Sequence, residues 1–180
     1  ILGNTPINRE YILDMFPFPF IAKDIKNSMG YGVYLIEDKK QFNSYCDKND
    51  ILYIQEKLPI NRDMRITYLG DEIIASYWRI GGENSFKNNV AQGGSISYDN
   101  IPPEALSLVD MVAKSLDINH AGFDVAEVDG HYYIFEFNVL FGTKGLIAKS
   151  IKLDELILRY LQKQTPSLPT DPNFPFPRVS

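Results

Sequence analysis

The stretch from Phe123 to Val139 constrains the fold most. Two apolar runs, Phe123 to Val128 and Tyr132 to Val139, flank Asp129-Gly130 and predict an antiparallel hairpin. Asp124, Glu136 and Asn138 interrupt strands that are otherwise among the most apolar in the chain. Strand side chains alternate with a period of two, so the loop length decides which residues share a face. An odd loop puts Asp124 beside Glu136 and Asn138 and leaves Phe123, Val125, Phe135, Phe137 and Val139 on the opposite, buried face. An even loop would bury Asp124 among Phe135 and Phe137 without a cationic partner, which is costly. An odd loop or a bulge between Val128 and Tyr132, with Asp129-Gly130 inside it, is therefore expected. Two carboxylates and an amide oxygen with no basic neighbour in either strand make a hard oxygen site suited to Mg²⁺ or Mn²⁺ bridging phosphates. The plain alternative is the solvated polar face of a half-exposed sheet.

The remaining patterns predict more strands than helices. Phe20 to Lys23 and Val33 to Glu37 read as strands around the loop Asn27-Ser28-Met29-Gly30-Tyr31-Gly32. Asp38 can cap a helix that turns Phe42, Tyr45 and Cys46 to one side, and Ile51 to Gln55 is a further strand. Met64, Ile66 and Tyr68 alternate with Arg65, Thr67 and Leu69, Gly70-Asp71 turns the chain, and Ile73 to Ile80 returns. Pro102-Pro103-Glu104 opens a helix with the stripe Ala105, Leu108, Val109, Val112 and Leu116, and Leu153 to Leu161 makes a closing helix. The Pro-aromatic stretches Phe16 to Phe20 and Phe174 to Pro177 read as edges or linkers, and Thr165 to Ser180 as an extended tail. The sum is an α+β chain of mostly antiparallel hairpins covered by helices.

Composition narrows the function classes. Of 180 residues 18 are basic and 23 acidic, a net charge of -5 that argues against a nucleic-acid partner. No apolar run approaches the ~18 residues of a membrane span, and no signal-peptide pattern opens the chain. The one cysteine, Cys46, excludes an intrachain disulfide and a cysteine-based zinc cluster, and a reducing, cytoplasmic setting is expected. The chain does not begin with methionine and is expected to be a piece of something longer. Gly30 and Gly32 let backbone N–H groups approach an anion that Lys23 can also reach, although a Gly-x-Gly loop is more often a simple turn. Arg65, Arg79 and Lys87 form a cationic set, Arg65 out of phase with its apolar neighbours; singly, each reads as a solvated charge. His120 and His131 lack a partner at metal-ligand spacing, and no Gly-x-Ser-x-Gly elbow is present.

Taken in order, the motifs resemble the ATP-grasp ligases, most closely the RimK-like glutamate-ligase branch. The matching segments are Ile21-Ala22-Lys23 with Asn27 to Val33, Ile54-Gln55-Glu56, Asp63-Met64-Arg65, Arg79, Phe86-Lys87-Asn88-Asn89 with Gly93-Gly94, Ala121-Gly122-Phe123-Asp124, and Phe135-Glu136-Phe137-Asn138 with Gly142 to Gly145. They cover about residues 20 to 160. The resemblance implies an ATP-grasp fold, two α+β subdomains with mostly antiparallel sheets enclosing a nucleotide cleft. It sets a remnant or linker at 1–19, a small lid subdomain at 20–57, a metal-bearing subdomain at 58–164 and the tail at 165–180.

By the same resemblance, ATP is the cofactor. Lys23 and the loop Ser28, Met29, Gly30, Tyr31 and Gly32 contact the phosphates. Gln55 belongs to the hinge, Glu56 and Lys57 read the adenine edge, Asp63 lies near the ribose, and Arg65 belongs with the nucleotide site. Asp124, Glu136 and Asn138 hold Mg²⁺ or Mn²⁺, and Arg79, Lys87 and Asn89 line the phosphate and acceptor side. The implied reaction joins a carboxylate to an amine, an amino acid or a peptide or protein acceptor, through an acylphosphate, releasing ADP and phosphate. A catalytically silent nucleotide-binding module and an ATP-grasp kinase with a hydroxyl acceptor are the competing readings, and an oligomer is compatible with either. The chain departs from the pattern in three ways. It lacks the N-terminal domain and upstream lysine, has Lys87 where the branch usually has arginine, and has Val139-Leu140-Phe141 where a Ser-Pro-containing stretch is usual.

Overall fold

The computed structural model describes residues 1–26, 32–81 and 94–164. Thr5 starts the first helix: its hydroxyl accepts a hydrogen bond from the Asn8 N–H at 3.2 Å, and Pro6 occupies the first turn. In chain order the elements are β1 (Leu2–Gly3), α1 (Pro6–Met15), β2 (Phe20–Lys23), β3 (Val33–Ile36), α2 (Lys39–Cys46), β4 (Ile51–Glu56), β5 (Arg62–Leu69), β6 (Glu72–Ile80), β7 (Ser95–Ser97), α3 (Pro103–Ser115), β8 (His120–Val128), β9 (His131–Asn138), α4 (Lys144–Ala148) and α5 (Leu153–Gln164). The strands form two antiparallel sheets, in the orders β1-β4-β2-β3 and β7-β6-β5-β8-β9. None of the described helices is long and apolar enough to cross a membrane.

The first sheet packs on α1 and α2. Ile12, Phe20, Ala22, Ile36, Phe42, Tyr45, Cys46 and Leu52 make its core. This corrects the reading of residues 1–19 as a remnant or linker. Leu2 pairs with Leu52 in the sheet, Ile12 is 1% exposed, and Phe16 meets Phe20 edge to face with ring centroids 6.2 Å apart. Pro17 and Pro19, in the stretch that suggested a linker, follow the end of α1, which is itself a capped helix of the domain. Asp38 caps α2 as expected, accepting from the Gln41 N–H at 2.7 Å.

The second sheet is covered on one face by α3, whose Ala105, Val109 and Ala113 pack on Met64, Ile66, Tyr68, Trp78, Ala121, Phe123 and Val125. Each large apolar side chain buried there contributes about 1.5–3 kcal/mol. The loop between β8 and β9 differs from the expected odd one. Val128 pairs with His131, leaving a two-residue turn of Asp129 and Gly130, both at positive φ, the conformation that matches strand twist in tight hairpins. The extra residue lies further along: Asp124 pairs with Glu136 but Val125 with Ile134, so Phe135 is bulged. Asp124, Glu136 and Asn138 share a face because of that bulge, not because of the loop. The apolar face is also less buried than expected. Phe123 and Val125 are fully buried, but Phe137 and Val139 are 45% and 58% exposed, because β9 is the edge strand.

Candidate active site

The face of the second sheet opposite α3 carries the charge. Asp63, Arg65 and Thr67 alternate with the buried Met64, Ile66 and Tyr68, so β5 turns them away from the core. The register then sets Arg65 opposite Asp124, Asp124 opposite Glu136, and Asp63 opposite Arg79. Cross-strand neighbours are in reach of each other; Arg65–Asp124 and Asp63–Arg79 are ion-paired, whereas Asp124 and Glu136 are both acidic. Arg79 Nε lies 2.7 Å from Asp63 Oδ1, and its Nη2 lies 2.9 Å from Asp124 Oδ2. Arg65 Nε approaches Asp124 Oδ1 at 2.6 Å, and its Nη2 donates to Oδ2 at 3.4 Å. The strands β8 and β9 supply no cation of their own, but β5 and β6 do. Arg65 and Arg79 are each 8% exposed, so the reading of them as solvated charges is corrected. A buried charge persists only when paired.

Asp63 also departs from expectation. It is 5% exposed and bonded to Arg79, so it orients a guanidinium instead of facing an open cleft toward a ribose. Burial pushes its carboxyl up from the usual value. Burial opposes the Arg79 charge as well, but Asp124 and Asp63 outweigh it and carry Arg79 above the arginine range. Because such a guanidinium keeps its proton, Asp63 at 2.7 Å from it stays ionised at neutral pH.

Glu136 and Asn138 form the open end of the array. Asn138 Nδ2 donates to Glu136 Oε1 at 2.6 Å, and Lys23 Nζ from the first sheet stands 3.9 Å from Glu136 Oε2. Lys23 also lies over the Tyr53 ring, 5.5 Å from its centroid. The register of the first sheet puts Ile21, Lys23, Tyr53 and Gln55 on one face. Glu56 falls on the other face, where with Lys57 and the segment Met15 to Phe20 it lines a cavity of about 320 Å³. Gln55 therefore shares a face with Lys23, and Glu56 does not. A larger cavity of about 580 Å³ is lined by Tyr53, Leu108, Val112 and residues 132 to 137 of β9, Glu136 among them. Gly32, at φ 65, closes the β2–β3 hairpin, its carbonyl accepting from the Asp24 N–H at 2.8 Å. Ser28, Met29, Gly30, Tyr31, Lys87 and Asn89 lie outside the described residues.

Asp124, Glu136 and Asn138 fit a hard divalent cation on the chemistry of their donors. Among the described residues no three of His, Cys, Asp and Glu come together to hold a metal, and the amide oxygen of Asn138 would add a third protein donor to the two carboxylates. Asn138 binds Glu136 through its nitrogen, which leaves its oxygen available. Asp124 Oδ1 is buried and, among the described residues, completes no hydrogen bond, though Arg65 Nε faces it at 2.6 Å as an ion pair. An acceptor left in that state is a place for a ligand.

Sequence reasoning passed over Tyr77 and Tyr98, and named Gly145 only as the end of a matching segment. Tyr77 is 3% exposed on the charged face, its ring 5.7 Å from that of Tyr98. Tyr98 donates its hydroxyl to the Gly145 carbonyl at 2.7 Å and so ties α4 to the sheet. The alternation of Tyr77 with Trp78 was a usable signal for its face; the contact with Gly145 had none.

The family model described as RimK-like ATP-grasp domain matches residues 3–161. The chain belongs to the RimK-like ATP-grasp family. It is 32% identical over 152 residues to a probable alpha-L-glutamate ligase of Marinobacter nauticus, covering 80% of this chain and 50% of that one. It is 34% identical over 158 residues to the tetrahydromethanopterin:alpha-L-glutamate ligase of Methanocaldococcus jannaschii, covering 79% and 54%. The chain thus spans about half the length of the curated relatives it matches. Among solved structures it superposes on the ATP-grasp ligase PsnB complexed with minimal precursor, with a TM-score of 0.65, 19% identity and coverage of 92% of this chain and 54% of that one. The D-alanine--D-alanine ligase of Bacillus anthracis complexed with ATP gives a TM-score of 0.60 at 19% identity, covering 86% and 56%. These likenesses establish the ATP-grasp fold, two antiparallel sheets with helices. The family model begins at residue 3, in agreement with β1 and α1 as part of the domain.

Proposed function

We propose that this RimK-like ATP-grasp chain is the nucleotide-binding and catalytic part of an ATP-dependent carboxylate–amine ligase, working in the cytoplasm, where the single Cys46 stays reduced. The observation that carries the reading is the row Arg65, Asp124 and Glu136 across the second sheet, reached by Lys23 from the first. The ligase names of the relatives support the reaction class.

In this reading ATP lies between the sheets, its base toward the cavity beside Tyr53 and its phosphates toward Lys23, Arg65 and Arg79. Asp124, Glu136 and Asn138 hold Mg²⁺ or Mn²⁺, which when bound neutralises phosphate charge. A substrate carboxylate oxygen attacks the γ-phosphorus and the bond to ADP breaks. Lys23, Arg65 and Arg79 stabilise the negative charge on the transferring group, as preorganised cations in a low-dielectric site do. An amine nitrogen then attacks the acyl carbon, phosphate leaves, and the nitrogen loses a proton. No protein nucleophile is required, and the site is made of cations, acids and amides accordingly. The donor is a carboxylate and the acceptor an amine on an amino acid, peptide or protein; neither a nucleic acid nor a membrane takes part.

The test is ADP and phosphate release measured with each substrate class singly and together. Turnover that requires both a carboxylate and an amine is the expected result. Turnover with a hydroxyl acceptor and no amine would replace the ligase by a kinase, and nucleotide binding without turnover under any pairing would leave a silent module.

A further inference from the structure

The arrangement around Asp124 carries a consequence for the order in which the site fills. Asp124 is 6% exposed, and both its oxygens are faced by guanidinium groups, Oδ1 by Arg65 at 2.6 Å and Oδ2 by Arg79 at 2.9 Å. Neither arginine is loosely placed. Asp63, itself buried, grips Arg79 through Nε, and Arg65 is wedged so closely against Gly122 that a Cβ there would come within 2.7 Å of its Nη1. Among the described residues that Nη1 is buried and makes no hydrogen bond, so the site holds an unsatisfied cationic donor beside Asp124 Oδ1, which only the Arg65 ion pair faces. Among the described residues the array is neutral: Lys23, Arg65 and Arg79 balance Asp63, Asp124 and Glu136.

We propose that Arg65 and Arg79 are placeholders for the metal at Asp124, so that the chain takes up a divalent cation together with nucleotide phosphate and discriminates against the bare cation. Asp63 is a positioning residue that keeps Arg79 in this double role. A bare divalent ion brought to Asp124 meets two guanidinium groups whose only other acidic partner among the described residues is Asp63, and it adds two uncompensated positive charges to a buried site. A metal–nucleotide complex brings its own anion. Phosphate oxygens satisfy the guanidinium donors, the free Nη1 of Arg65 among them, and release the Asp124 oxygens to the metal. Arginine suits this exchange because its planar fork binds carboxylate and phosphate with the same geometry.

The inference rests on the metal role given above to Asp124, and the experiment separates the two. Binding of Mn²⁺ alone, followed by calorimetry or electron paramagnetic resonance, is compared between the native chain and the double variant Asp63→Asn with Arg79→Gln. That pair removes one charge of each sign, so the array stays neutral and only the hold on Asp124 changes. The double variant is expected to bind Mn²⁺ without nucleotide about tenfold tighter than the native chain, and adding Asp124→Asn is expected to erase the gain. Arg65→Met is the second route. It leaves Asp124 paired with Arg79, removes a donor that is already unsatisfied, and is expected to move bare Mn²⁺ affinity in the same direction. Unchanged or weaker Mn²⁺ binding in folded variants, while the native chain still binds Mn²⁺ with ATP through Asp124, would overturn the placeholder role and leave the metal site standing. Failure of the native chain to bind Mn²⁺ even with ATP would remove the metal site and this inference with it.

Discussion

At the scale of single residues, burial sets what each ionisable group can do. Cys46 and Asp63 show the two outcomes. Cys46 is 2% exposed in the core of the first sheet, and burial pushes its thiol up from the usual value. It is a packing residue, as its place beside Phe42 on α2 indicates. A thiol whose folded pKa is raised binds its proton more tightly in the folded than in the unfolded chain. Its contribution to stability is therefore complete below the unfolded value of about 8.5 and is lost as pH rises through the folded value. A chromogenic disulfide reagent is expected to leave native Cys46 unmodified at pH 8 and to react stoichiometrically in denaturant, and unfolding free energy is expected to fall as the pH is taken upward from about 8.5. Rapid native labelling at pH 8 would contradict the burial. Asp63 keeps its charge because a guanidinium shares its enclosure, so the same desolvation yields a structural ion pair.

At the scale of elements, pairing register and small-residue contacts align groups that lie far apart in the chain. The bulge at Phe135 turns β9 so that Glu136 meets Asp124, and a regular strand would have pointed Glu136 to the other face. α4 is fixed differently, by the seating of Gly145 against the Tyr77 ring and the bond from Tyr98. A Cβ at residue 145 would fall on the ring of Tyr77, which stands on the face of Arg65 and Arg79. Gly145→Ala is accordingly expected to cost about 1–3 kcal/mol in urea unfolding by overpacking, and to weaken nucleotide binding by disturbing that face. Tyr77→Leu in the same background is expected to restore part of the stability, since the smaller side chain vacates the space. An alanine at 145 with native stability would show that α4 sits on the sheet more loosely than the contact indicates.

At the scale of the whole molecule, the two sheets meet in the candidate site through Lys23 and Glu136 at 3.9 Å. That separation is long for a strong ion pair, and Glu136 is 44% exposed, so the contact itself contributes little stability. In the proposed ligase reading, it marks where a polyanion and its metal would bridge the sheets. A ligand that binds only the folded chain raises stability by mass action, about 2.7 kcal/mol at a concentration a hundred times its Kd. Mg²⁺ with ATP is expected to raise Tm in a concentration-dependent way, and Lys23→Met to keep the native Tm without ligand while losing most of that rise. A lysine variant that responds to ATP like the native chain would place the phosphates elsewhere.

Strand and helix identities were legible in the sequence because they follow from alternation and capping, which are local. Met64 to Tyr68 against Arg65 and Thr67, Asp38 before α2, and Gly70 and Gly130 at turns all carry their signal within a few residues. The residue types of Asp124, Glu136 and Asn138, and the family resemblance they support, were readable in the same way. The tertiary structure alone decided three things. It placed the extra residue of the second hairpin at Phe135, since a bulge is set by how one strand fits its neighbour. It drew Leu2 into the first sheet and Ile12 of α1 into its core, since a two-residue strand has no period to read. It paired Asp124 with Arg65 directly across the register and with Arg79 one strand further on, since register and strand order choose among segments some sixty and forty-five residues away in the chain. Chemistry is written in residue types, but the state of each charge depends on what the fold encloses with it.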